Sequence, residues 1–294
     1  MKLVNRSSTV KSKLPVLKKQ SEKSPETMKS LRSALELLDQ FTTEGRDLGV
    51  GELATRSGIS KSTVSKALAA FAERGFLIQN TATRRYSVGV KLYILGSRFL
   101  MYDNLCSVTF PKMRELVQST GHSARLSILD NDQVLYLLGL EGPWFMDTGW
   151  RAGTWLPAGS TTAGRVMLAF MEPTLAKQLL TRQPFVASNE HTQTNIKVIL
   201  QLIAEVKQHG YAAQRNETTP GLGTVAVPIF GNGLKVLGSL GLAFPSHVVK
   251  KTDDADLAAV LHRSARSISL RMGCSVYPFG NTQVLAQQRI RKNS

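Results

Sequence analysis

The sequence predicts an α+β protein of two domains, in which a small, mostly helical N-terminal domain is joined by a linker helix to a larger α/β domain. The length of 294 residues accommodates two domains at roughly 100–200 residues each. Apolar residues recur at helical spacing up to about residue 75, whereas helical and strand-like segments alternate after residue 104. A hydrophobic content of 42 % with 20 % charged residues is ordinary for a folded chain and excludes wholesale disorder.

The charge is concentrated towards the N-terminus. The formal net charge is +16, and the first 100 residues carry eighteen Lys and Arg against eight Asp and Glu, a net +10. Such an excess attracts polyanions, either nucleic acid or anionic lipid. Residues 1–28 are expected to form a disordered basic arm, and a role for this arm in gripping DNA phosphates is left open.

Nothing in the sequence predicts a membrane or secreted protein. It contains no run of about 18 apolar residues and no secretory signal. Two cysteines, Cys106 and Cys274, exclude a disulfide-built scaffold. We therefore expect the protein in the cytoplasm.

Residues 29–89 are predicted to form a winged helix-turn-helix. Helical spacing covers 31–41 and 50–57, Gly58 suits a tight turn, and Ser60 suits the cap of a third helix. Two short strands, 76–78 and 86–88, enclose a polar basic turn that is typical of a wing. In this motif the helix after the turn enters the major groove of DNA. The alternative is a purely structural or protein-binding module.

The third helix begins with short polar and cationic side chains, as a helix that reads DNA requires. We expect four of them to reach base edges or phosphates: Ser62, Thr63, Ser65 and Lys66. Lys61, together with Arg84 and Arg85 at the wing tip, is expected to contact mostly the DNA backbone.

Several motifs, taken in order along the chain, resemble the IclR family of bacterial transcriptional regulators. They are Gly51-Glu52-Leu53-Ala54, Gly58-Ile59-Ser60-Lys61-Ser62-Thr63-Val64, Gly153-Thr154-Trp155-Leu156-Pro157, and Pro220-Gly221-Leu222-Gly223-Thr224-Val225-Ala226-Val227-Pro228. The resemblance covers roughly residues 28–273. It implies a linker helix at 90–102, a GAF-like effector-binding domain at 103–274 and a C-terminal tail at 275–294. It also implies binding to short palindromes in double-stranded DNA as a homodimer or homotetramer, with a small molecule as effector.

The C-terminal domain is predicted to contain a mixed sheet with flanking helices, with room for one small-molecule pocket. Helical spacing covers 104–120, 162–171, 194–209 and 254–272. Strand-like segments cover 124–129, 133–140, 224–230 and 236–244.

The family resemblance implies that the backbone amides of Thr162 and Ala163 receive a carboxylate. A helix N-terminus suits an anion because its first amides lack partners and its dipole is positive there. The alternative is that Thr161 or Thr162 simply caps a structural helix.

Four further effector-contact positions depart from relatives that bind small keto acids. Those relatives carry an acidic residue, a cysteine and two serines where this chain has Gln214, Thr224, Gly241 and Ala243. The exchange predicts a roomier, less polar pocket. Trp155, with Trp144, Trp150 and Phe145 nearby, is expected to stack on an aromatic or bulky apolar acid. The alternative is that these aromatics belong to the core or to a subunit interface.

The sequence offers no catalytic residue, metal ligand set or cofactor motif. It lacks HExxH, paired cysteines, a P-loop and a nucleophile elbow. The leading hypothesis is therefore a one-component transcriptional regulator. Its rivals are an enzyme with a nucleic-acid-binding appendage and an architectural DNA-binding protein without ligand control.

Overall fold

The computed structural model describes residues 28–42, 47–102, 104–144, 152–182 and 187–280. The predicted basic arm lies outside this range, apart from Met28. The N-terminal elements are α1 (Lys29–Asp39), α2 (Val50–Ser57), α3 (Lys61–Glu73), β1 (Leu77–Gln79), β2 (Tyr86–Val88) and α4 (Val90–Tyr102). None of the described helices is long and apolar enough to cross a membrane.

Local signals set the turn between α2 and α3. Gly58 ends α2 in the left-handed region at φ 70°, where a residue without Cβ is not strained. Ser60 caps α3, its Oγ accepting a hydrogen bond from the Thr63 amide at 3.3 Å. The helices and the wing enclose one small core that includes Leu37, Leu53, Val64, Leu68, Leu77 and Tyr86.

The C-terminal domain is built on a six-stranded sheet. Its helices are α5 (Asn104–Thr120), α6 (Thr162–Ala169), α7 (Pro173–Thr181), α8 (Ile196–His209) and α9 (Asp254–Arg271). Its strands are β3 (Ser123–Asp130), β4 (Gln133–Leu140), β5 (Trp155–Pro157), β6 (Ala212–Arg215), β7 (Leu222–Phe230) and β8 (Val236–Pro245), in the spatial order β5-β4-β3-β8-β7-β6.

Every neighbouring pair of described strands in this sheet is antiparallel, so the expectation of a mixed sheet is wrong. The hairpins β3–β4 and β7–β8 pair side by side through β3 and β8, which keeps the alternation of direction. The short edge strands β5 and β6 extend the same pattern.

The sheet separates two layers of helices. Successive residues of a strand face opposite sides, and on β7 Val225 packs into the core with α5 and α9, whereas Ala226 packs with α6 and α8. The side that faces α6 carries small residues, among them Gly241 and Ala243. Residues that are predicted to contact an effector lie on this small-residue side.

The predicted C-terminal tail begins with a packed segment. Tyr277 is buried, and its hydroxyl donates a hydrogen bond to the Pro228 carbonyl at 3.0 Å and lies 2.9 Å from His262 Nδ1. The Phe279 ring stacks on His262 at a centroid distance of 5.4 Å. Residues 274–280 thus pack against α9 and the sheet.

Candidate DNA-binding surface and effector site

Helix α3 presents a polar stripe to solvent. Val64 and Leu68 are completely buried, while all five predicted contact residues of this helix are exposed: Lys61, Ser62, Thr63, Ser65 and Lys66. Residues three and four apart share a helix face, so Ser62, Ser65 and Lys66 lie side by side. The Thr63 hydroxyl is 2.9 Å from Ser60 Oγ, which ties it to the cap.

The wing turn is shaped by its own side chains. Asn80 Oδ1 accepts hydrogen bonds from the amides of Ala82 and Thr83 at 2.9 and 3.0 Å. Arg84 then adopts φ 56°, and its amide donates to the Asn80 carbonyl at 2.8 Å. The turn therefore carries the exposed Arg84 side chain at its end.

Arg85 is placed differently from Arg84. Its Nε donates to Asp47 Oδ1 at 3.0 Å, and its Nη2 donates to Glu52 Oε2 at 2.9 Å and to the Asp47 carbonyl at 2.8 Å. The hydrogen bonds to Asp47 and Glu52 raise the pKa of Arg85 above its ordinary value. The guanidinium joins the wing to α2 through Glu52, and its role on the DNA backbone stays a prediction.

The predicted anion site lies at the N-terminus of α6. Helix geometry leaves the first amides without intrahelical acceptors, and Thr161 Oγ1 accepts from the third of these, Gly164, at 3.0 Å. Among the described hydrogen bonds no acceptor is assigned to the amides of Thr162 and Ala163. Both residues are buried.

A row of strand residues lies beside this helix start. Thr162 Oγ1 donates to Thr224 Oγ1 at 3.2 Å, and Thr224 is the register partner of both Gln214 and Ala243. Gly241 pairs with Ala226, two residues further along β7. The structure thus brings Thr162, Thr224, Gln214 and Ala243 together, and their role as effector contacts stays a prediction.

Trp155 lies elsewhere in the sheet. It is on β5, paired with Leu135 of β4, at the edge opposite to that formed by β6 and Gln214. Trp144 packs over Gly121 and is about half exposed. Trp150 and Phe145 lie outside the described residues. The aromatic stacking therefore remains a prediction, without support from the strand order.

Ion pairs that the sequence did not reveal brace this site. Both Nη atoms of Arg165 donate to the Glu217 carboxylate, at 3.2 and 2.5 Å, and Arg165 Nε donates to the Gly159 carbonyl at 2.9 Å. Because Arg165 lies on α6 and Glu217 follows β6, the pair fixes the helix start relative to Gln214. This ion pair could not be predicted from the sequence, because its two partners are 52 residues apart.

A second buried group lies on β3, beside Ala243. Ser123 Oγ donates to Glu141 Oε2 and Arg125 Nη2 donates to Glu141 Oε1, each at 2.7 Å. Within the described parts of the chain, no group of three or more His, Cys, Asp or Glu side chains is arranged to hold a metal ion.

Comparison with known proteins yields matches across both domains. Residues 30–81 match the domain described as the IclR helix-turn-helix domain, and residues 98–270 match the one described as bacterial transcriptional regulator IclR C-terminal. The HTH-type transcriptional regulator KdgR of Escherichia coli (strain K12) is 31 % identical over 258 residues, which cover 88 % of this chain and 98 % of KdgR.

Solved structures show the same fold. An IclR transcriptional regulator from Alicyclobacillus acidocaldarius superposes with a TM-score of 0.75 at 26 % identity, covering 83 % of this chain and 98 % of that one. An IclR homologue from Microbacterium hydrocarbonoxydans, crystallised with 4-hydroxybenzoate, gives a TM-score of 0.71 at 20 % identity, with coverages of 83 % and 98 %.

Proposed function

The chain belongs to the IclR family of bacterial transcriptional regulators, and from that membership we propose how it reads DNA and how it responds to an effector. It is a regulator with a DNA-binding helix-turn-helix and a C-terminal effector-binding domain. In our proposal α3 lies in the major groove of a short palindromic operator, and a small organic acid at the start of α6 changes operator affinity.

The polar stripe of α3 carries the DNA part of the proposal. Ser62, Ser65 and Lys66 face base edges, while Lys61 and Thr63 contact the flanking backbone. We expect Lys66→Ala to weaken binding by about 1–3 kcal/mol, measured on an operator selected from random DNA by the purified protein. Unchanged affinity would contradict this placement.

The wing offers a matched pair of variants. Arg84 is exposed, and no described residue forms an ion pair with it, whereas Arg85 is bound to Asp47 and Glu52. Arg84→Ala should lower the slope of log affinity against log salt by about 0.9 per wing, the value for one lost phosphate contact. Arg85→Ala should change that slope less, because the two carboxylates already neutralise its charge. Equal changes in the two variants would refute the assignment.

The effector proposal rests on the two amides of α6 that lack assigned acceptors. Ala163→Pro removes one N–H at a position in the first turn where proline is tolerated, and Ala163→Gly keeps it. Isothermal titration with 4-hydroxybenzoate, benzoate, pyruvate and glyoxylate measures both variants. We expect the aromatic acids to bind more tightly than the keto acids, and Ala163→Pro alone to weaken binding roughly 10–100-fold. Tighter keto-acid binding would contradict the aromatic assignment.

We further propose that subunits associate through α1 and α4. These helices expose Leu31, Leu35, Val90, Tyr93 and Ile94, each about half exposed or more. Exposed apolar side chains of this kind suit burial against a second subunit. Tyr93→Glu should shift the molar mass measured by light scattering towards the monomer. The wild-type mass distinguishes dimer from tetramer.

Finally, we propose that the protein works in the cytoplasm and does not convert its effector. The named relatives are transcriptional regulators. Recovery of the added acid unchanged after prolonged incubation tests this, and any turnover would favour the enzymatic alternative. The architectural alternative would be favoured if no acid alters operator affinity.

A further inference from the structure

Gln214 holds a buried amide oxygen that has no partner among the described residues. The residue is 6 % exposed, and its Oε1 forms no hydrogen bond within the described part of the chain. Leaving a buried acceptor unpaired destabilises the folded state. Because such groups are rare in folded proteins, each one requires a physical explanation.

The position of Gln214 Oε1 supplies such an explanation. Gln214 lies opposite Thr224 in the ladder of β6 and β7, and the Thr224 hydroxyl is 3.2 Å from Thr162 Oγ1, at the first residue of α6. Neighbouring strands are about 4.8 Å apart. The orphaned acceptor and the two available amides therefore border the same small region, between α6 and the small-residue side of the sheet.

The two features differ in what they bind. The amides of Thr162 and Ala163 donate hydrogen bonds and suit a carboxylate. Gln214 Oε1 is a neutral acceptor, which suits a hydroxyl or an N–H. A ligand that satisfies both has an acid group at one end and a donor a few bonds away.

We propose that Gln214 makes this site selective for hydroxy acids over the same acids without the hydroxyl group. The inference rests on the effector site proposed above. An acid without a donor leaves Oε1 unpaired after binding, whereas a hydroxy acid removes that penalty. Sites built to pair a ligand hydroxyl reject analogues that lack it far more strongly than apolar pockets reject an extra group.

The test compares matched acids on the full chain. The probes are glycolate with acetate, 3-hydroxybutyrate with butyrate, and 3- and 4-hydroxybenzoate with benzoate, each titrated calorimetrically. In the wild type we expect at least one hydroxy acid to bind at least about tenfold more tightly than its parent. In Gln214→Met, of similar size but without the acceptor, the preference should fall below about threefold.

The outcomes separate the two proposals. Equal binding of hydroxy and parent acids to the wild type overturns the role of Gln214 and leaves the acid site standing. A preference for hydroxy acids that survives in Gln214→Met also overturns the role of Gln214. If none of the acids binds, the proposed effector site fails and this inference fails with it.

Two further variants show whether a lost preference comes from Gln214 itself or from a general loss of folding. Thr109 Oγ1 is also buried with no partner among the described residues, and it lies on α5, on the side of the sheet opposite to α6. Thr109→Val should therefore unfold at or above the wild-type temperature and keep the hydroxyl preference. Gln214→Glu retains an acceptor, so it should keep the preference. Loss of the preference in either variant contradicts the proposal.

Discussion

Replacing Arg165 by alanine should destabilise the C-terminal domain strongly, because it strands a carboxylate inside the protein. The Arg165 and Glu217 side chains are 3 % and 17 % exposed, and two hydrogen bonds join them. Breaking a buried pair by removing one partner costs about 3–5 kcal/mol. For a domain of this size roughly 2–4 °C of melting temperature corresponds to 1 kcal/mol, so a fall of about 6–20 °C is expected.

Thermal unfolding followed by circular dichroism measures this effect, with Lys112→Ala as the control. Lys112 pairs with Glu115 on α5, where Glu115 is 60 % exposed. Surface pairs of this kind contribute less than about 1 kcal/mol. A fall for Arg165→Ala no larger than that for Lys112→Ala would refute the reasoning. The apolar double variant Arg165→Met/Glu217→Leu should recover much of the stability, because it removes both charges together.

The same variants report on the effector site. Arg165 holds the start of α6 against the segment that follows Gln214, through Glu217 and the Gly159 carbonyl. Effector affinity should therefore fall in Arg165→Ala and stay low in the double variant, even where stability returns. Normal affinity in the double variant would show that the ion pair does not position the site.

Three further predictions concern His262 on α9, the start of α6 and the packed C-terminal segment, residues 274–280. Burial lowers the pKa of His262 to about 4 from an ordinary 6.5. Because the unfolded chain binds more protons than the folded one between these pH values, the free energy of unfolding should fall as the pH drops below 6.5, by about 2 kcal/mol at pH 5. In denaturant titrations His262→Gln should lose this part of the pH dependence, and an unchanged profile would contradict its assignment. Gly164→Ala should lower the melting temperature and effector affinity together, since a Cβ there would lie within 2.1 Å of the Ala158 carbonyl oxygen; wild-type values for both would show that α6 is less tightly seated. Tyr277→Phe should cost about 1–3 kcal/mol in urea unfolding by leaving the Pro228 carbonyl and His262 unpaired, and a neutral result would place the segment outside the cooperative fold.

Elements that span several turns or alternations could be predicted from the sequence. Helix α3 needed only its apolar spacing, Gly58 and the Ser60 cap, all within about fifteen residues. Strands β5 and β6 were not predicted, because three or four residues are too few for an alternating pattern. Strands β1 and β2 are as short, but their place around a polar turn after the helix-turn-helix identified them as a wing. Helix α7 was missed as well, although Glu172 caps it and Pro173 begins it, because its apolar spacing is short.

The neighbouring arginines of the wing show why site residues were harder to predict. Arg84 and Arg85 are equivalent as sequence, yet one is exposed and the other is bound to Asp47, 38 residues away. The difference arises from the hydrogen bonds that Arg85 makes to Asp47 and to Glu52 on α2. Such contacts cannot be predicted from composition or from the spacing of residues.

The sequence by itself determined the two-domain architecture, the helix-turn-helix and the family, because periodicity, caps and ordered motifs are local properties of the chain. Through the family resemblance it also predicted that Thr162, Gln214 and Thr224 belong to one site. Only the tertiary structure showed that the sheet is antiparallel, that Trp155 lies at its far edge and that Gln214 Oε1 has no partner in the described part of the chain. Those facts depend on strand register and burial, which arise only when residues distant in sequence are packed together.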